Sequence, residues 1–83
     1  NVSRWRGQLG LPEIDAAALN ALIKPLTGGP EGAIVVDLEN AGRALTGAIV
    51  PRGGQWFFYK LTGDAAAVAA ARESFINFCK AGS

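Results

Sequence analysis

The apolar positions of the first ten residues fall at Val2, Trp5 and Leu9, three and four apart, which is one stripe of a helix over about 2–9. Asn1 or Ser3 is placed to cap it, and Gly10 followed by Pro12 to stop it. A second helix is predicted over about 15–24. Asp15 is a good N-cap, Ile14 can pack on Leu19 as a hydrophobic staple, and Leu19, Leu22, Ile23 and Leu26 make the apolar stripe. Pro25 should end it at about Lys24, because the residue before a proline is pushed out of helical geometry.

After the loop "TGGPEG" at 27–32 the hydrophobic period changes to two. In "AIVVDLE", Ile34, Val36 and Leu38 take one face and Ala33, Val35 and Asp37 the other. "NAG" turns into a second strand over about 43–51, and "RGG" into a third over about 55–62. Asp64 then opens a last helix, about 64–80, on which Val68, Ala71, Phe75, Phe78 and Cys79 share a face. Six of the seven residues at 65–71 are alanine, which favours a helix and lets it lie close to a sheet. The pattern is α+β: an antiparallel three-stranded meander with two N-terminal helices and a C-terminal helix, one domain over 1–83.

The third strand contains "WFFYK", four consecutive aromatic rings and a lysine. Alternation sends Trp56, Phe58 and Lys60 to one face and Phe57, Tyr59 and Leu61 to the other, so both faces are apolar. That reads as a central strand, with Phe57, Tyr59 and Leu61 under the last helix and Phe58 covered on the opposite face. The competing reading is a stacking platform for a small ligand or single-stranded nucleic acid, which would leave Trp56 and Phe58 exposed beside basic side chains. A two-faced apolar meander also has two unpaired edges. Further strands, from upstream of Asn1 or from another chain, would complete it.

Charge and chemistry narrow the function classes. Eight Lys/Arg against seven Asp/Glu give +1, without the basic excess of a duplex-binding module, so no nucleic acid is expected as partner. At 49% apolar and 18% charged, the chain is too hydrophobic for intrinsic disorder. No apolar run approaches a membrane span. With no histidine and one cysteine, a Cys/His zinc site cannot be built, and Cys79 reads as a small buried hydrophobe. Asp37 and Glu39, two apart on one strand face, are too little for an acid/base pair, and the two glycine loops lack a Walker or dinucleotide pattern. No enzyme, cofactor or metal is expected. The remaining cluster, Arg4, Trp5, Arg6 and Gln8, is the candidate protein contact, since tryptophan and arginine are enriched at interface hot spots. Its plainer reading has Trp5 packed on the sheet and the arginines solvated.

At "NVSRWRGQLGLP" and at "WFFYKLTGD" with "ESFINF" the chain resembles a family of bacterial exported or lipoprotein-type domains, and its strand-then-helix ending resembles the Mog1/PsbP-like fold, an antiparallel sheet sandwiched by helices. The resemblance implies the C-terminal portion of a larger domain, with strands ahead of Asn1, and it implies no activity. PsbP-like members include extrinsic subunits of photosynthetic membrane complexes. It thus implies a non-enzymatic protein-binding module, an extracytoplasmic, periplasmic accessory subunit of a membrane-associated assembly such as an electron-transport or photosynthetic one.

Overall fold

Trp5 and Gly47 show how the layers meet. In the computed structural model, which describes residues 2–12 and 14–81, α1 (Val2–Gln8) turns the stripe of Val2 and Trp5 onto a sheet, and Trp5 is 7% exposed. Its ring lies flat against the backbone of Gly47. A Cβ added there would stand 2.6 Å from Cε3 and 2.7 Å from Cη2 of that ring, and closer still to Cζ3. Only a residue without a side chain permits this approach.

α2 (Ala16–Leu22) starts where the capping argument places it: Asp15 is extended, and its Oδ1 accepts from the Ala18 amide at 2.8 Å. It ends earlier than expected, with Ile23 as C-cap, and Lys24–Pro25 form a short strand, β1. The reason is Pro25 itself, whose restraint on Lys24 pushes the chain to extended geometry before the last turn can form. Asn1 as a helix cap lies outside the described residues, and Ser3 sits inside α1.

The sheet is therefore four-stranded, in the order β1-β2-β3-β4, with all pairs antiparallel; the three-strand count is corrected by the Lys24–Pro25 pairing with Val35 and Ile34. β2 (Ile34–Asn40) and β3 (Arg43–Arg52) are joined by Ala41 and Gly42, both at positive φ, and β3 and β4 (Gln55–Asp64) by Gly53 and Gly54, also both positive. Two positive-φ residues make a type I′ turn, whose twist matches that of the strands. α3 (Ala65–Ala81) follows directly. The Arg52 guanidinium donates to the carbonyls of Cys79 and Lys80 at 2.7 and 2.9 Å, satisfying acceptors that the helix end leaves open.

Helices cover both faces of the sheet. Val36, Leu38 and Leu45 pack with Val2 and Trp5 of α1 and with Leu19 and Leu22 of α2. On the opposite face Val35, Ala48 and Val50 pack with Cys79, Phe75 and Ile76 of α3. β3 is the buried strand, with Ala44 to Ala48 all buried. Small residues there let both helical layers approach it closely.

Candidate functional site

The aromatic strand is not central. Among the described residues β4 is the last strand of the meander and pairs only with β3, so one side of it is open. The exposures follow: Trp56 60%, Phe58 53% and Phe57 38%, with Tyr59 and Leu61 half-buried. This corrects the expectation that Phe57, Tyr59 and Leu61 are buried and Phe58 covered. Consecutive hairpins add strands one beside another, so the third strand of a meander is an edge unless something follows it, whatever its side chains are.

The backbone of this edge is regular. Pairing with β3 runs one to one from Arg43↔Asp64 to Arg52↔Gln55 without a bulge. In a two-residue hairpin the closing pair, here Arg52 and Gln55, exchanges hydrogen bonds, and alternate pairs do so from there. Phe57, Tyr59 and Leu61 thus bond to β3, while the N–H and C=O groups of Trp56, Phe58, Lys60 and Thr62 point away from the sheet. Natural edges are commonly blunted by shortness, proline, bulges or charges. The β1 edge is two residues long and contains Pro25; β4 is ten residues long, and Lys60 is the one charge within its span before the terminal Asp64.

Each face beside the edge has a distinct chemistry. On the α1 side Trp56, Phe58 and Lys60 follow one another along the strand, and Lys60 Nζ donates to Gln8 Oε1 at 2.8 Å. On the α3 side Phe57 adjoins Tyr59, whose ring meets that of Phe78 edge-on with centroids 5.5 Å apart; Phe78 is itself exposed. Four exposed rings therefore lie on β4 or against it. Among the sequence-predicted contact residues, Trp5 is in the core, Arg4 is exposed, Arg6 donates to the Pro12 carbonyl at 3.0 Å, and Gln8 reaches β4 through Lys60. The sequence signal for the β4 edge is strand order, not aromatic content, which is equally compatible with a buried strand.

Asp37 and Glu39 do not form a couple. Asp37 takes a bidentate pair of bonds from Arg72 of α3, both at 2.8 Å, and its Oδ1 also accepts from the buried Thr46 hydroxyl at 2.7 Å. A shallow pocket of about 270 Å³ beside them is lined by Asp37, Glu39, Thr46, Val68 and Arg72. The Arg72 guanidinium holds the Asp37 carboxyl below its ordinary 3.8, with help from Thr46 and against partial burial. A depressed carboxyl contributes stability that is present above its unfolded-state pKa and is lost as pH falls through the folded value. Both side chains are about half exposed, so the contribution is small, under about 1 kcal/mol. Asp37→Asn, which keeps an acceptor for Thr46, should be less stable than the parent near neutral pH, with the difference closing below about pH 4. Urea unfolding at stepped pH tests this; a difference that stays constant down to pH 2 would remove the charge from the account.

Cys79 is fully buried, and burial pushes its thiol pKa up, opposed in part by Arg52. Among the described residues no group of acidic, histidine or cysteine side chains is placed to hold a metal ion, and no helix is long and apolar enough to cross a membrane. The loop "TGGPEG" closes on itself, with Gly29 bonding back to Leu26 and Ala33 to Pro30. No family model, curated protein or solved structure matches this chain.

Proposed function

We propose that this chain is a non-enzymatic protein-binding module that engages its partner along β4. One observation carries the reading: a ten-residue edge without bulge or proline, flanked by exposed Trp56, Phe57 and Phe58, on a sheet whose other edge is short and contains proline. Strand addition suits such an edge, because main-chain bonds supply affinity and alternate side chains supply specificity. The sequence resemblance extends the proposal to an accessory subunit of an extracytoplasmic, membrane-associated assembly with a Mog1/PsbP-like fold.

A second reading, single-stranded nucleic acid or a small aromatic ligand stacked on Trp56 and Phe58, is favoured by their exposure beside Lys60. Charge weighs against the nucleic acid. Arg52 is engaged at the end of α3, Arg72 with Asp37, and Arg43 lies 3.7 Å from Asp64, so among the described residues β3 and β4 offer no unpaired arginine to extend Lys60 into a row along a phosphate backbone.

The test is a photoreactive phenylalanine analogue at Phe58 or, separately, at Arg4, irradiated in cells that make the protein. Protein adducts from Phe58 support the β4 site. Nucleic-acid adducts from Phe58 establish the second reading, and protein adducts from Arg4 alone return the contact to the N-terminal cluster.

A further inference from the structure

We infer that the occupant of the β4 edge is the β4 edge of a second copy of this chain, the two sheets joining antiparallel about a two-fold axis. This rests on the protein-binding reading of the edge and names its partner. A two-fold axis normal to the sheet keeps α3 of both copies on one side, so directly opposed residues must belong to the same face. The outward-pointing backbone groups of Trp56, Phe58, Lys60 and Thr62 must also meet each other.

Registers centred on any residue from Phe57 to Leu61 satisfy the face condition, but those about Phe57 and Leu61 set Lys60 or Trp56 opposite a residue outside the strand. Centring on Lys60 sets two ammonium groups directly opposite, which is destabilising. Centring on Phe58 puts Thr62 opposite Gly54, in the turn and beyond the strand. Centring on Tyr59 uses all the outward groups: Trp56 faces the partner's Thr62, Phe58 faces the partner's Lys60, and symmetry repeats both. On the α3 side Phe57 then faces the partner's Leu61, and the two Tyr59 side chains face each other. Each Lys60 ammonium, exchanging its bond to Gln8 Oε1 for this contact, crosses to the partner's Phe58 ring and lies diagonal to the partner's Trp56, where a cation is attracted to the aromatic face. No like charges stand directly opposite; the two Lys60 lie diagonal to each other across the axis, farther apart than in the register centred on Lys60. The strand thus carries its own complement: exposed rings, a cation placed to cover them, and a backbone row in phase with itself.

Sedimentation equilibrium of the 83-residue chain, with amide exchange at low and high concentration, tests the pairing. The expected result is a reversible dimer in which the Phe58, Lys60 and Thr62 amides become protected as concentration rises. Phe58→Lys sets an ammonium opposite the partner's Lys60 and should weaken dimerisation at least tenfold. Phe58→Glu sets a carboxylate opposite the same lysine and should keep or tighten it. Both variants should fold, because Phe58 is half exposed and its backbone bonds are not spent on β3; circular dichroism checks this. If Phe58→Glu weakens the dimer as much as Phe58→Lys, the register about Tyr59 is overturned. A chain monomeric up to about 1 mM overturns self-pairing. Should Phe58 in that monomer still photolabel another protein, the binding reading survives; should it label nucleic acid, both fail.

Discussion

Trp5→Ala is expected to lower the unfolding free energy by about 3–5 kcal/mol, the range for removing a buried large aromatic side chain. Trp5 packs with Val2, Val36, Leu38 and Leu45, and truncation opens a void between α1 and the sheet that neighbouring chains cannot fill. Domains of this size have little stability to spare, so the variant should be largely unfolded near room temperature. Phe57→Ala is the informative control. Its ring is larger than most of the core's side chains, yet it is 38% exposed at the edge, and the expected loss is only about 1 kcal/mol. Urea denaturation of the two variants beside the parent decides the matter. Equal losses would mean that β4 is a covered strand after all; a Trp5 variant within 1 kcal/mol of the parent would remove α1 from the core.

Gly47→Ala should cost about 3 kcal/mol, the upper part of the range for overpacking, from one added methyl group. That methyl would have to occupy the place of the Trp5 ring, and the atoms it meets belong to a rigid indole, not to the end of a flexible chain. The ring must move off Gly47, and α1 with it. A smaller side chain at position 5 should relieve the clash: Trp5→Leu combined with Gly47→Ala is expected to be more stable than the sum of the single losses, by about 1 kcal/mol or more. Additive losses would show that the methyl group acts on something other than Trp5.

Much of the local structure is legible because its causes are local. Asp15 caps α2 through its own side chain, paired positive-φ residues close both hairpins, and the period-two alternation of 33–38 divides Val35 from Val36 between the two cores as expected. The boundary at Pro25 was legible too, but not its consequence. Whether two extended residues become a strand depends on whether an edge is within reach, and Val35 of β2 supplies it.

The candidate site is different, because exposure is a property of strand order and not of a strand's composition. "WFFYK" has the hydrophobicity of a core strand, while "RALTGAIVPR", with its glycine and alanines, looks like the weaker one; the structure covers the second and exposes the first. What the sequence determined by itself was the α+β class, the three helices and the three long strands, the Asp15 cap, the two hairpin turns and the face each strand side chain takes, all set by interactions within a few residues. Only the tertiary structure decided that β3 lies inside, that Trp5 rests on Gly47 forty-two residues away, and that the aromatic rings line an open edge. Such contacts depend on which layer each element finds, and the alternation along a strand is the same at the centre of a sheet and at its border.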